Sequence, residues 1–216
     1  MDDPAFSILT PLRNGVQYLP EAVASVRAQT CGDWEHIIGV NGFPVGSPVH
    51  RQALMCASRV YVFDDCGNQG DAYTRLAEIA CGEFVAVLDV DDTWEPTKLE
   101  KQLTVLRDGW DVVGTLANYF GNCTEKVGVL PGPVTLDDLR LRNCFAHSSV
   151  TMRRDVARWP DTLYCVDYSL FLRLASEGRA MMNLNEQLTW IRTHDQQHAA
   201  GKNDDAAMEL RRRYSA

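Results

Sequence analysis

Short hydrophobic runs alternate with amphipathic stretches along the first half of the chain. The runs have the length of buried strands and cover residues 6–10, 34–40, 60–63 and 84–88. Between them, apolar residues recur at helical spacing from Leu19 to Val26 and again from Tyr73 to Ala80. Gly82 follows the second stripe and is typical of a helix end. This order predicts a mostly parallel sheet flanked by helices.

The second half of the chain departs from this rhythm. We expect strands near residues 112–116, 148–152 and 188–192, helices near residues 136–141 and 167–176, and an irregular crossing over residues 121–132. The pattern predicts one domain over residues 1–200, with two halves that meet near residue 115. Residues 201–216 turn polar and charged, which suits either a closing helix or a linker.

Composition narrows the setting of the protein. A chain of 216 residues that is 45% hydrophobic can bury one sizeable core. Its net charge of −8 argues against a nucleic-acid backbone or an anionic membrane as the main partner. No apolar run approaches the roughly 20 residues of a transmembrane helix and no secretory signal is recognisable, so we expect a cytoplasmic protein. The seven cysteines form no C-x-x-C pair, and we expect free thiols.

Three carboxylates follow the fourth predicted strand, at Asp89, Asp91 and Asp92. Open α/β sheets place their ligands at the carboxyl ends of strands, and clustered carboxylates repel one another unless a cation neutralises them. The alternative is an acidic N-cap for the helix that we expect to begin near Pro96. One carboxylate is enough for a cap, so the cluster favours a site for a divalent cation or a basic ligand.

Other polar residues fall at the ends of the predicted strands and would line one pocket with the carboxylates. They are Thr10, Pro11, Arg13, Asn41, Asp64 or Asp65, and Asn68. The two aspartates could equally be turn residues beside Gly67. No glycine-rich phosphate loop of the G-x-G-x-x-G or G-K-[ST] kind is present.

Several segments resemble the inverting family-two glycosyltransferases of the GT-A fold. The segments that carry the resemblance are residues 7–14, 18–30, 34–38, 68–70 and 88–102, the last of which matches that family's metal-binding Asp-x-Asp and the helix beyond it. In the second half, residues 166–175 look like the family's Glu-Asp motif, and residues 190–198 look like its closing Arg-x-His segment. Two departures stand out: Val166 replaces the usual acid, and Val40 to Phe43 replace the usual Asp-Asp-Gly-Ser turn.

The resemblance implies roles for individual residues. Asp91 would be the main metal ligand, and His194 a second ligand or a structural histidine, with His198 a weaker alternative. Oxygen ligands suit Mg²⁺ or Mn²⁺, and a histidine favours Mn²⁺. The other donor contacts would come from Asp89, Val90, Arg192 and the strand-end residues named above, with a surface ion pair as the alternative for Arg192.

The same resemblance implies a GT-A α/β fold that transfers a sugar from a nucleoside diphosphate, with a UDP-linked donor favoured, to a hydroxyl of a carbohydrate acceptor. Residues 1–115 would form the nucleotide-binding half and residues 116–200 the acceptor side. Inversion needs a base that takes the acceptor proton, for which we expect Asp167, whose alternative role is an N-cap.

Two other classes of function remain open. The D-x-D-x-T pattern at Asp89 also fits an aspartyl-phosphate phosphatase in which that residue is the nucleophile, although such motifs usually open a fold. A noncatalytic sugar-nucleotide-binding module is the third hypothesis, and the Val166 replacement is its best support.

Overall fold

A computed structural model describes residues 3–57, 59–122, 129–162, 164–194 and 204–214. The first half contains β1 (Phe6–Leu12), α1 (Leu19–Arg27), β2 (Trp34–Asn41), α2 (Pro48–Cys56), β3 (Arg59–Phe63), α3 (Gln69–Glu78), β4 (Phe84–Val87), β5 (Thr93–Trp94) and α4 (Lys98–Arg107). The second half contains β6 (Val112–Gly121), β7 (Gly132–Pro133), α5 (Leu136–Leu141), β8 (Thr151–Arg153), α6 (Val166–Ser176), β9 (Met181–Thr193) and α7 (Asp204–Arg213). Two short 3₁₀ turns cover His147–Ser149 and Arg154–Val156.

The strands form one sheet in the order β3-β2-β1-β4-β8-β6-β9-β5, with β7 paired to β9. The first four strands run parallel, so their carboxyl ends meet at one edge of the sheet. β8 lies antiparallel between β4 and β6, and β5 lies antiparallel to β9. The mostly parallel sheet flanked by helices is therefore confirmed, and its carboxyl edge is where the candidate residues gather.

The hydrophobic runs are buried on both faces of the sheet, as expected for central parallel strands. On one face, Phe6 and Ile8 of β1 pack with Val26 of α1 and with α4. On the other face, Leu9 packs with Leu76 of α3 and with α6. Successive side chains of β1 point to opposite faces of the sheet and so pack against both helical layers. β1 and β4 therefore lie at the centre of the molecule.

The C-terminal helix α7 joins the second of these layers. Its Leu210 is 7% exposed and belongs to the same apolar cluster as α5 and α6. In the part of the chain that the structure describes, no helix is long and apolar enough to cross a bilayer. Six cysteines are free thiols, and Cys123 lies outside the described residues.

Several local predictions differ from the structure; the strand expected over residues 188–192, for example, is the longer β9, Met181–Thr193. The helix α2 was not predicted, although Ser47 caps it by accepting the His50 N–H at 3.2 Å. The expected strand over residues 148–152 begins only at Thr151, because Ser149 bonds back to Ala146 and closes a 3₁₀ turn. The helix beyond the carboxylates begins at Lys98 rather than near residue 96.

Candidate active site

Asp89 lies directly beyond β4 and is held by side chains from two other elements. Gln69 and Tyr73 of α3 each donate to Asp89 Oδ1 at 2.8 Å. Ser148 accepts from the Asp89 backbone N–H at 3.0 Å and donates to Oδ2 at 3.2 Å. Burial disfavours the charge, but interactions with His147, Tyr73 and Ser148 outweigh it and lower the pKa of Asp89. The first carboxylate is therefore a fixed anion.

His147 forms the second layer behind Asp89. Its Nδ1 lies 3.5 Å from Asp89 Oδ2, and its Nε2 accepts from Trp159 Nε1 at 3.1 Å. The Trp159 ring stacks on Tyr73 with 4.9 Å between ring centroids, and the His147 ring meets Tyr73 edge-on at 4.8 Å. Because an indole N–H only donates, the neutral ring of His147 carries its proton on Nδ1, toward Asp89.

Asp91 and His194 meet across 103 residues of sequence. Asp91 Oδ2 lies 2.9 Å from His194 Nε2, and both side chains are 19% exposed. Burial and the Asp89 charge raise the pKa of Asp91, while His194 works in the opposite direction. A bound cation would offset the repulsion between the carboxylates of Asp91 and Asp89. Neighbouring ligands of an octahedral cation with bonds of about 2.1 Å lie about 3 Å apart, so the pair fits such an ion.

Asp92 is buried and anchors β9. Its side chain is accessible over 4% of its surface, and Oδ1 accepts the Arg192 backbone N–H at 2.9 Å. Burial and the charges of Asp91 and Asp89 raise its pKa well above the usual value. The helix α4 is capped at Thr97, so none of the three carboxylates serves as its N-cap, and the capping alternative is wrong.

Arg192 connects the Asp91 loop to α1 at this edge of the site. Its Nε donates to the Asp91 carbonyl oxygen at 3.1 Å, and its guanidinium pairs with Glu21 of α1. The guanidinium carbon lies 4.6 Å from the Tyr18 ring centroid and 4.3 Å from that of Phe120. Such stacking contributes about 0.5–2 kcal/mol per contact. The predicted ion pair is present, and a diphosphate would find this group already held in place.

Thr10 and Asn41, two of the predicted nucleotide contacts, turn their side chains into the protein. Thr10 is fully buried, with Oγ1 3.0 Å from His36 Nε2. Asn41 is 3% exposed, and its Oδ1 accepts the Cys66 backbone N–H at 2.9 Å. Both side chains support the strand ends through these contacts. Their contact with a nucleotide stays a prediction.

The predicted residues nearer the surface lie in the loops at the carboxyl edge. Arg13 and Asp65 form a two-pronged ion pair whose side chains are 52% and 56% exposed, and Arg13 lowers the pKa of Asp65. Asn68 caps α3 by accepting the Asp71 N–H at 2.8 Å. Pro11 is half-buried in β1, and Val90 is a partly buried member of the apolar cluster beneath this edge.

Asp167 lies in the first turn of α6. Its Oδ2 accepts from Asn143 Nδ2 at 2.9 Å, and its Oδ1 makes no hydrogen bond to a described residue. Cys165 is the N-cap, so Asp167 does not cap the helix through its side chain. Burial lowers the pKa of His147, but Asp89 and, more weakly, Asp167 outweigh it and raise that pKa. The charges of Asp89 and Asp167 therefore both stabilise the protonated form of His147.

Backbone strain accompanies this placement. Cys165 has φ of 51° and is the one non-glycine residue with positive φ in the described part of the chain. Such a conformation costs on the order of 1–3 kcal/mol and persists where surrounding structure enforces it. Here it turns the chain into α6 and directs the first turn, with Asp167, toward Asn143.

Sequence reasoning missed several partners of these residues. Gln69 lies within residues 68–70, one of the segments that carry the family resemblance, and Tyr73 belongs to the apolar stripe that predicts α3. Asn143, which orients Asp167, carries no pattern that distinguishes it. The structure also brings His147 and Ser148 into contact with Asp89. His198 lies outside the described residues.

The sheet with its four parallel strands, the carboxylates beyond β4 and the returning strand β9 together match a GT-A glycosyltransferase fold. The chain belongs to glycosyl transferase family 2, whose family model matches residues 7–176. The prediction of this family and fold is confirmed.

Individual relatives agree with this family. The O-antigen biosynthesis glycosyltransferase WbnJ of Escherichia coli is 27% identical over 204 residues, which cover 88% of this chain and 80% of WbnJ. Residues 1–349 of S. aureus TarS in complex with UDP-GlcNAc align with a TM-score of 0.76 at 15% identity, over 99% of this chain and 65% of that one. The mannosyltransferase PcManGT of Pyrobaculum calidifontis, in complex with GDP-Man and Mn2+, aligns with a TM-score of 0.67 at 15% identity, over 90% and 58%. The chain thus spans about two thirds or less of the length of these solved structures.

Proposed function

We propose that this chain transfers a sugar from a nucleoside diphosphate, with a UDP-linked donor favoured, to a hydroxyl of a carbohydrate acceptor with inversion. The observation that carries the proposal is the approach of Asp91 Oδ2 to His194 Nε2 at 2.9 Å beside the fixed anion Asp89. Family membership and the UDP-GlcNAc and GDP-Man complexes of the structural neighbours support a nucleotide-sugar donor.

Asp91 and His194 would hold a divalent cation, Mn²⁺ or Mg²⁺, which when bound stabilises the negative charge of the departing diphosphate. Their mixed oxygen and nitrogen donor set favours Mn²⁺. Among the described residues, no group of three or more possible metal ligands occurs. Oxygens of the diphosphate and water would supply the remaining ligands, as is usual for such cations at phosphate sites.

The nucleoside would lie over the carboxyl ends of β1 to β3. The exposed pair Arg13 and Asp65 offers donors and acceptors there, and Asn68 stands at the amino end of α3. Asp89 would contact the ribose or a metal-bound water, with Tyr73 and Gln69 holding its carboxylate in place. Arg192 reaches the Asp91 loop and would add positive charge near the diphosphate.

Asp167 would act as the general base. Asn143 fixes one of its oxygens, while the other makes no hydrogen bond to a described residue and can accept the proton of the attacking hydroxyl. Attack from this side, opposite the departing diphosphate, inverts the configuration of the sugar.

Nucleotide binding is tested by thermal unfolding with UDP, GDP, ADP, TDP and CDP, each with and without Mn²⁺. A diphosphate at a hundred times its Kd stabilises the folded state by about 2.7 kcal/mol, which raises Tm by roughly 5–10 °C for a chain of this size. We expect the shift with UDP and Mn²⁺ together, its loss in Asp91→Asn, and its retention in Asp108→Asn, an exposed carboxylate after α4. No shift with any pair would contradict the proposal.

The base is tested with Asp167→Asn. We expect sugar transfer to fall by about 10²–10⁴-fold while the metal-dependent shift with UDP persists. If transfer is unchanged, another group is the base. If the wild-type chain binds UDP but transfers no sugar to any carbohydrate acceptor, the noncatalytic hypothesis is correct instead.

The phosphatase hypothesis is disfavoured by the surroundings of Asp89. Gln69, Tyr73 and Ser148 each donate a hydrogen bond to the Asp89 carboxylate, which draws on its negative charge and lowers its nucleophilicity toward phosphorus. Acid-quenched protein from incubations with a phosphate ester should therefore carry no phosphate on Asp89.

A further inference from the structure

A cleft lies beside the carboxylate cluster rather than over it. It encloses about 430 Å³, within the range of small-ligand sites, between α1 and the sheet strands β5, β6 and β9. The residues that matter for its chemistry are Glu21, Ser25, Thr93, Glu95, Phe120 and Trp190. None of the residues assigned above to the donor, the cation or the base lines it.

Strand pairing gives the cleft an aromatic floor. Trp190 of β9 lies opposite Thr93 of β5 on one side and Asn118 of β6 on the other. Phe120, two residues beyond Asn118, shares its face, and its ring meets that of Trp190 edge-on with 6.3 Å between centroids. Both rings are partly exposed, so they offer apolar surface to a ligand.

The rim of the cleft accepts hydrogen bonds. Glu95 Oε1 accepts from Trp190 Nε1 at 2.7 Å, which fixes the carboxylate beside the indole. Glu95 Oε2 and Thr93 Oγ1 make no hydrogen bond to a described residue. Ser25 donates to the Ala22 carbonyl at 2.8 Å, so its oxygen keeps its capacity to accept. A ligand in this cleft would therefore donate hydrogen bonds to the side-chain oxygens of Glu95, Thr93 and Ser25.

The charge of the cleft selects against anions. Its lining contains two carboxylates and no lysine, arginine or histidine. The nearest guanidinium, that of Arg192, is paired with Glu21 and stacked on Phe120 and Tyr18. Arg192 thus contacts Glu21 and Phe120 at the edge of the cleft and the Asp91 carbonyl oxygen on its other side, so the two sites are adjacent.

A sugar ring suits this cleft, because its apolar C–H face can pack on the aromatic rings and its hydroxyl groups can donate hydrogen bonds to the rim. We infer that the cleft is a binding site for a neutral glycan, distinct from the donor pocket and from the hydroxyl that is activated. The inference depends on the cleft alone and stands whether or not the chain transfers sugar.

The test uses a matched pair of substitutions on α1. Ser25→Arg places a long cation in the cleft, whereas Ala24→Arg adds the same side chain at the neighbouring exposed position, which does not line it. Both variants should unfold at the same temperature as the wild type within a few degrees. Each is incubated on an array of neutral, acidic and amino-sugar oligosaccharides, and hits are titrated by calorimetry.

We expect neutral oligosaccharides to bind the wild type and Ala24→Arg, with at least tenfold weaker binding to Ser25→Arg and to Trp190→Ala. Binding should persist in Asp91→Asn and in the presence of UDP and Mn²⁺. The inference is overturned if no neutral glycan binds the wild type, if only amine-bearing ligands bind, or if Ser25→Arg binds normally. Loss of glycan binding in Asp91→Asn would assign it to the donor site instead.

Discussion

His36 makes the stability of the folded chain depend on pH below neutrality. It lies in β2 with 7% of its surface exposed, and its Nε2 is 3.0 Å from Thr10 Oγ1. Burial lowers the pKa of His36 from 6.5 to about 4, and the charge of Arg27 adds to the effect. The folded state therefore keeps this imidazole neutral over a range in which the unfolded chain takes up a proton.

The sign and size of the effect follow from linkage. As the pH falls through 6.5, the unfolded state binds a proton that the folded state does not bind until about pH 4. Stability from neutral His36 is thus full above about pH 6.5 and is lost progressively as the pH falls toward 4. The loss is about 2 kcal/mol at pH 5 and at most about 3 kcal/mol at lower pH.

Urea unfolding at pH 7.5 and pH 5, in the presence of a chelator, measures this loss. His36→Gln preserves a polar group near Thr10 but cannot titrate, so the free energy of unfolding should fall by about 2 kcal/mol less than in the wild type. Thr10→Val removes the hydrogen bond and keeps the burial, so its pH dependence should stay that of the wild type. Parallel losses in wild type and His36→Gln would refute the reasoning.

Three further predictions concern packing and positioning. A methyl group in Gly82→Ala would lie 2.5 Å from a backbone nitrogen of β1, so urea unfolding should show a loss of about 1–3 kcal/mol, whereas Gly32→Ala, with no atom within 4 Å, should be neutral. Tyr73→Phe removes a donor to the first carboxylate of the cluster and should lower the free energy of unfolding by about 1–3 kcal/mol at unchanged circular dichroism. Asn143→Ala should lower kcat by up to about a hundredfold, less than Asp167→Asn, with KM for the donor unchanged in steady-state kinetics.

The order of strands and helices was predictable because each element carries its own periodic signal. The helix α5 was expected over residues 136–141 and covers Leu136–Leu141, and its Thr135 capping box shows why its start is well defined. The helix α2 has no apolar stripe that would predict it, since Ala53 is its one buried residue. Its Ser47-Pro48 start was the available clue, because serine is a favoured N-cap and proline is common at the first position of a helix.

Residues that act through contacts with distant segments could not be identified in the same way. Tyr73 fits the apolar stripe of α3 and is fully buried, yet its hydroxyl donates a hydrogen bond to Asp89. Thr10 and Asn41 lie at the predicted strand ends, but the direction of a side chain there depends on what packs behind it. His36 and Cys66 occupy that space, and no local pattern places them there.

The meeting of Asp91 with His194 depends on the register of the β5–β9 pair. Thr93 lies opposite Trp190, and the turn that precedes β5 places the Asp91 carbonyl oxygen 3.1 Å from Arg192 Nε. His194 follows the end of β9 at Thr193, and its ring reaches the Asp91 carboxylate. A slip of one residue would turn His194 to the other face and remove the proposed cation pair. The sequence contains both proposed ligands, but only the three-dimensional structure, with the Arg192 hydrogen bonds between β9 and the Asp91 loop, brings them together.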